Sequence, residues 1–308
     1  MKRMMRVVVV AQTTAQRFNN PGACVYMQHQ WTIARGRVLG PAPFFVAGIV
    51  NVTPDSFYDG GEWDDPAVAV RHAQSLAAQG ADILDIGGES TRPGAELVEA
   101  EAELQRVLPV VRALKSGADS DSSGPVISVD TNKAEVARQV LKAGADIIND
   151  VSACRFDPAL VDVLAEYQPG YVLMHSSGLP RDMQKRPQYQ DIVSELLSFF
   201  EGRLKALQQA GLDESRIVLD PGIGFGKTLE HNLTLLRQMQ RFCELGFPVY
   251  VGLSNKSMFG DLLGLSVRER GEATRVATAL LATRGVAVHR VHEVALARNA
   301  LTLATAMM

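Results

Sequence analysis

Gly144-Ala145-Asp146-Ile147-Ile148-Asn149-Asp150 decides the fold, because the chain has already run through nearly the same phrase at Gly80-Ala81-Asp82-Ile83-Leu84-Asp85-Ile86-Gly87. In both places a glycine closes a segment of helical spacing and an apolar, β-branched run opens at once. One strand-and-helix unit repeated around an axis predicts such an echo. Followed outward, apolar runs predict strands at 44–50, 83–87, 126–130, 147–150, 171–175, 217–220, 249–253 and 286–292. Helical spacing fills 66–79, 100–114, 133–142, 191–210, 229–243 and 274–284, most of them stopped by a glycine. Eight strands alternating with helices predict an α/β protein, a closed (β/α)8 TIM barrel, over 41–308. Residues 1–40 are expected to be a short N-terminal extension, partly disordered or carrying a hairpin. The hairpin would run along Trp31-Thr32-Ile33-Ala34-Arg35-Gly36-Arg37-Val38-Leu39 and turn near Gly36.

Composition narrows the function. The net charge is -3, and basic residues are scattered, so no cationic field invites nucleic acid. Aromatic residues make up 6% of the chain, too few for a base-stacking platform. The three cysteines, Cys24, Cys154 and Cys243, are far apart and contain no C-x-x-C, which argues against a disulfide scaffold or a zinc site. No apolar run approaches the roughly 18 residues a membrane span needs. The opening Met1-Lys2-Arg3-Met4-Met5-Arg6 and the apolar residues after it faintly imitate a secretory signal. The apolar segment is too short and lacks a small-residue cleavage site, so the expected location is the cytoplasm.

The informative residues stand where the strands stop. In parallel α/β folds ligands sit beyond the carboxyl ends of strands, and charge placed there is costly unless it is used or paired. Asp130, Asn149, Asp220 and Lys256 close or follow four different strands. They offer two acceptors, a two-way amide and an ammonium donor, a mixture that suits a flat heterocycle of alternating donors and acceptors. A buried ion pair that merely holds the rim is the bland alternative. Arg290 and His292 lie two apart on one strand and so share a face. With Arg92 they form a cationic set suited to phosphate or pyrophosphate, against the alternative of a surface arginine and a satisfied core histidine. Asn51 ends the first barrel strand, where its amide oxygen can ligate Mg²⁺ beside phosphate oxygens; a turn residue is the plainer reading. Gly222-Ile223-Gly224-Phe225-Gly226-Lys227-Thr228 is neither a Walker A loop, since Pro221 occupies the position needing glycine, nor a G-x-G-x-x-G fingerprint. It reads as a tight loop bringing backbone close to a ligand, with Phe225 packing on that ligand or anchoring in the core. The long loops 53–66 and 88–95 follow strands and are candidate lids.

These segments together resemble the dihydropteroate synthase family. The likeness runs in order from about 41 to 300. It includes Asn51-Val52-Thr53-Pro54-Asp55-Ser56-Phe57-Tyr58-Asp59-Gly60-Gly61, the stretch 80–94, Val129-Asp130-Thr131 and Ile148-Asn149-Asp150-Val151-Ser152. It continues with Met183-Gln184, Asp220-Pro221-Gly222-Ile223-Gly224-Phe225-Gly226-Lys227 and Arg290-Val291-His292. The resemblance implies condensation of 6-hydroxymethyl-7,8-dihydropterin pyrophosphate with para-aminobenzoate, Mg²⁺ as cofactor, and a homodimer built through barrel helices. It implies that Asp130, Asn149, Asp220 and Lys256 bind the pterin. Asn51, Arg92, Arg290 and His292 would hold pyrophosphate, with Asn51 also the metal contact. Phe57, Thr91, Pro93, Gly224, Phe225 and Ser257 would lie near para-aminobenzoate, and Asp59 would close over the reacting carbon. The residues implied to act in catalysis are Asn51, Asp59, Arg92, Asp130, Lys256, Arg290 and His292.

Two positions depart from the family pattern. Ser254-Asn255-Lys256-Ser257 stands where Ser-Arg-Lys-Ser is usual, and Met174-His175-Ser176 where Met-His-Met is usual. Both departures concern the second substrate, so weakened binding of the amine is expected. Two other readings compete. A methyltetrahydrofolate-corrinoid methyltransferase would share the pterin-binding acids but has no use for Arg92, Arg290 and His292. A pterin-binding paralogue without synthase activity would bind pterin and never turn over.

Overall fold

The computed structural model describes residues 28–53, 66–90, 95, 97–116, 126–178, 183–184 and 187–308 of the chain. Two strands, β1 (His29–Thr32) and β2 (Val38–Ala42), pair antiparallel around a 3-10 turn at Ala34–Gly36. The eight barrel strands follow: β3 (Phe45–Asn51), β4 (Ile83–Gly87), β5 (Val126–Asp130), β6 (Ile147–Asp150), β7 (Gly170–Met174), β8 (Ile217–Asp220), β9 (Tyr250–Gly252) and β10 (Val288–Val291). All pair parallel in the order β8-β7-β6-β5-β4-β3-β10-β9, and a parallel bridge between Leu219 and Val249 joins the two outer strands. The sheet therefore closes, as the alternation of apolar runs and helices predicts.

Helices wrap the outside: α1 (Pro66–Ala78), α2 (Ala100–Ser116), α3 (Ala134–Lys142), α4 (Leu160–Tyr167), α5 (Ile192–Gln209), α6 (Leu229–Arg237), α7 (Gln240–Cys243), α8 (Ser257–Leu263), α9 (Gly271–Ala282) and α10 (Val294–Ala306). Helix α4 was not foreseen from the sequence, because its Leu160-Val161-Asp162-Val163-Leu164 is too short to show helical spacing. Gly80 and Gly144 hold φ of +96° and +109°, the left-handed turn the repeated phrase predicts.

Strand alternation divides the core in two. Outward residues such as Val46, Leu84, Ile127, Ile148 and Leu219 join the large cluster beneath the helices. Inward residues near the strand starts, among them Ala47, Ile83, Val126, Ile147 and Val172, form a second cluster inside the barrel. Trp31 and Ile33 of the hairpin belong to that second cluster, so the hairpin plugs the barrel from below. The plug is tied down on several sides. Trp31 Nε1 donates to the Arg216 carbonyl at 2.7 Å, and Arg216 Nη1 donates to the Ile33 carbonyl at 2.8 Å. Buried Asp146, from the repeated Gly-Ala-Asp phrase, is ion-paired with Arg35, Arg37 and Lys115.

Candidate active site

Directly above the apolar floor, inward residues change character. Asp85 and Ser128 sit mid-strand, in phase with Asp130 and with Asn149. Asp85 is fully buried and gathers three donors: Ser128 Oγ at 2.6 Å, Asn149 Nδ2 at 3.1 Å and Arg290 Nε at 2.5 Å. A second Arg290 nitrogen, Nη2, reaches Asp130 Oδ2 at 3.1 Å. Side chains of β4, β5, β6 and β10 are thus locked into one layer. Burial works against a charge on Arg290, but Asp85 and Asp130 outweigh it and hold the guanidinium above its ordinary value. Burial pushes Asp130 up, opposed by Arg290 and reinforced by Asp85.

Asp220 ends β8 and its Oδ1 accepts the Gly222 N–H at 2.7 Å, which fixes the sharp turn into the glycine loop. Burial pushes its carboxyl up to about 6, with the Gly222 hydrogen bond, Lys256, Lys227 and Arg290 all pulling the other way. Lys256 is brought down to about 8 by burial and by Arg290, against the pull of Asp220 and Asp130. Asp130, Asp220 and Arg290 stand at the carboxyl ends of β5, β8 and β10, and Lys256 follows β9, so all four lie at the same end of the parallel barrel. Lys256 Nζ lies 4.2 Å from the Phe225 ring centroid, a cation–π contact. It also crosses Gly224, where an added Cβ would lie 3.3 Å from Lys256 Cδ.

The glycine loop is held by close packing. Gly222 has φ of +66° and a Cβ there would fall 1.9 Å from the His175 carbonyl oxygen; at Gly226, φ +65°, it would fall 1.7 Å from Ser177 Oγ. Lys227 folds back underneath, donating to the Phe225 carbonyl at 3.0 Å and lying 3.1 Å from His175 Nδ1. Burial brings its ammonium down to about 7. Gln184 Nε2 donates to the Gly224 carbonyl at 2.6 Å, so the Met183-Gln184 pair seats on this loop.

Asn51, His292 and Ser257 fall at the same rim. Asn51 ends β3 half-buried, and a Cβ built on Gly87 would lie 4.0 Å from Asn51 Oδ1 and 3.6 Å from Asp130 Cβ. His292 follows β10, with Nδ1 2.8 Å from Ser254 Oγ. Arg290 does not stand apart with His292 as a purely cationic set: two of its donors go to Asp85 and Asp130, on the heterocycle side. Ser257 opens α8 and is exposed. Asn255 is exposed with φ of +57°, a conformation asparagine tolerates better than most residues. Ser176 is buried, its carbonyl taking Arg155 and its hydroxyl 3.2 Å from the Gly178 carbonyl. Phe57, Asp59, Thr91, Arg92 and Pro93 lie outside the described residues, as do most of the first candidate lid and half of the second. The base of the second lid is pinned: Lys133 Nζ pairs with both Glu89 and Glu103, and Arg106 Nη1 donates to the Gly88 carbonyl at 2.7 Å. Asp85, Ser128 and Tyr250 were missed from the sequence. Their signal was the two-residue phase they share with the strand-end residues, not a position at a strand end.

A closed parallel barrel whose rim presents buried acids, an amide, a lysine and an arginine to one pocket defines a class, the pterin-binding barrel enzymes. A family model described as pterin binding enzyme matches residues 47–292. The dihydropteroate synthase of Synechocystis sp. is 43% identical over 81% of this chain and 85% of its own length. Among solved structures, Yersinia pestis dihydropteroate synthase with a sulfonamide drug complex superposes with a TM-score of 0.84 at 38% identity, covering 91% of this chain and 99% of that one. Xanthomonas albilineans dihydropteroate synthase with 4-aminobenzoic acid gives 0.82 at 43% identity, covering 90% and 98%. The chain belongs to the dihydropteroate synthase family. These relatives count against the methyltransferase and silent-paralogue readings.

Proposed function

We propose that this chain condenses 6-hydroxymethyl-7,8-dihydropterin pyrophosphate with para-aminobenzoate, yielding 7,8-dihydropteroate and pyrophosphate. One observation carries the reading: Asp85, Asn149, Asp130 and Arg290 form a single hydrogen-bonded layer, and Asp220 and Lys256 face the same mouth above an apolar floor. The 4-aminobenzoic acid and sulfonamide complexes of the relatives support the choice of amine.

Asp130 and Asp220 accept from the pterin's ring N–H groups, Asn149 works both ways, and Lys256 donates. Pyrophosphate departs from a CH₂ group on an electron-rich ring, so the C–O bond breaks ahead of C–N formation. Arg92, Arg290 and His292 bind the departing charge. Asp130 and Asp220, with Asp59 from the first loop, stabilise the cation left behind. The amine then attacks that carbon, and its surplus proton passes to solvent. No strong base is needed, because the electrophile is already cationic. Gly224, Phe225 and Ser257, with Phe57, Thr91 and Pro93, would hold the amine across the mouth.

Among the described residues no three histidine, cysteine or acidic side chains come together to cage an ion. Asn51 offers one amide oxygen at the rim. That donor set fits Mg²⁺ shared with substrate phosphates and waters, not an ion held by protein alone. Asn51 would hold the ion, which when bound would supply positive charge to the leaving group.

The partner is a second copy of the chain. Leu262 and Leu263 of α8, Val276 and Leu280 of α9, and Leu303 of α10 are exposed and apolar, which supports a dimer through these helices. No described helix is long and apolar enough to cross a membrane, which is compatible with work in the cytoplasm. The decisive assay is incubation with dihydropterin pyrophosphate and Mg²⁺, with and without para-aminobenzoate. Amine-dependent pyrophosphate release is expected; its absence overturns the reading.

A further inference from the structure

Tyr250 puts a hydroxyl where the apolar floor meets the charged layer. Strand β9 pairs Tyr250 with Val288 and Gly252 with Arg290, so Tyr250 points inward just below Arg290. Its ring packs in the floor with Ile83, Val126, Ile147, Val172 and Val218. Its hydroxyl oxygen is buried and has no hydrogen-bond partner among the described residues. The charges that act on that hydroxyl belong to Asp85, Arg290, Asp220 and Asp130. Those groups stand on β4, β10, β8 and β5, around the barrel interior into which Tyr250 points.

Burial, then Asp85, holds the phenol well above its usual range, and it stays protonated and able to donate. None of the nearby acids takes that proton in a hydrogen bond. Asp85 receives Ser128, Asn149 and Arg290, Asp130 receives Arg290, and Asp220 receives Gly222. A buried hydroxyl left without a partner destabilises the protein that holds it. Phenylalanine would fill the same floor without that cost. A buried polar group kept in this condition requires an explanation, and a partner that arrives with the ligand supplies one.

We propose that the Tyr250 hydroxyl is a ligand-facing donor that hydrogen-bonds an acceptor on the inner edge of the bound pterin and helps select which flat heterocycles the pocket takes. The assignment rests on reading the pocket as a pterin site. It completes the pattern there: Asp130 and Asp220 accept, Lys256 donates near the rim, and Tyr250 supplies a neutral donor at depth. A ring with a carbonyl or unprotonated nitrogen at its inner edge gains this bond.

The test compares wild type with Tyr250→Phe by calorimetric titration of 6-hydroxymethylpterin and by thermal melting without ligand. Binding is expected to weaken about tenfold, the equivalent of one hydrogen bond of roughly 1.4 kcal/mol. The ligand-free melting temperature is expected to hold or rise, because no bond is lost from the free protein. Unchanged affinity overturns the proposal. So does a fall in the ligand-free melting temperature, with or without weaker binding, because the hydroxyl would then be serving the fold. Asp220→Asn run in parallel separates the two levels. If wild type and Asp220→Asn take up the probe equally, or wild type does not bind it, the pterin reading fails and takes this assignment with it. If they split while Tyr250→Phe matches wild type, only the Tyr250 assignment fails.

Discussion

Replacing Asp85 with asparagine tests the architecture of the pocket at its centre. The side chain is fully buried and accepts from Ser128, Asn149 and Arg290. An asparagine can turn its oxygen toward Arg290 and Asn149 and its NH₂ toward Ser128, whose hydroxyl rotates to accept. The hydrogen-bond count therefore nearly survives, and the loss is the charge opposite Arg290. Removing one partner of a buried ion pair costs about 3–5 kcal/mol. Asp130 remains 3.1 Å from Arg290 Nη2 and offsets part of that. The expected destabilisation is about 2–3 kcal/mol, which for a large single domain lowers the melting temperature by roughly 4–12 °C. Arg290 will swing toward Asp130 and engage one of the pocket's acceptors more tightly. Pterin affinity should then fall about tenfold, as a loss of roughly 1.4 kcal/mol implies. Circular-dichroism melting and calorimetric titration of the pterin read the two effects separately. A variant that melts within about 1 °C of wild type and binds pterin unchanged would refute the claim that Asp85 organises the layer.

Four further outcomes follow from the same geometry. Asp220 has its carboxyl raised to about 6 in the folded chain, so its contribution to stability is full below the ordinary carboxylate value and is lost as pH rises through 6. In its proposed role Asp220 binds pterin ionised, so its share of the affinity should climb on the order of tenfold per pH unit up to about 6, and Asp220→Asn should remove that share while leaving the limb carried by Asp130, which burial also raises. Gly222→Ala forces a Cβ to 1.9 Å from the His175 carbonyl at a φ of +66°, and should abolish amine-dependent turnover while circular dichroism still reports a folded barrel; full activity counts against the loop's role. Asn255→Arg, restoring the guanidinium usual in the family, should tighten para-aminobenzoate binding, and an unchanged titration rejects the idea that Asn255 weakens it. Burial raises the Cys154 thiol to about 12 and the Cys243 thiol to about 11, so neither should react with maleimide until the protein is unfolded; rapid labelling of either in native buffer contradicts their packing.

Much of the barrel was legible because strand and helix differ in period, and the glycines at 80 and 144 mark where one becomes the other. Strand ends were legible for the same reason: a charge after an apolar run is conspicuous. Asp85 was not, because a lone acid inside Ile83-Leu84-Asp85-Ile86-Gly87 looks like an interruption until its three donors arrive from other strands. Arg290 was seen as an anion anchor, yet what fixes its direction, the carboxylates of Asp85 and Asp130, lies far away in sequence. Short α4 escaped because eight residues give too little periodicity to declare a face.

The hairpin stopper has a kinetic corollary. With Trp31 and Ile33 packed into the lower end, the described residues leave the rim as the way in. With the amine held against Phe225 and Ser257 as proposed, the occupant of the deep polar tier would enter before it and leave after it. In the proposed arrangement the two substrates would queue in this blind shaft, the heterocycle first in and last out.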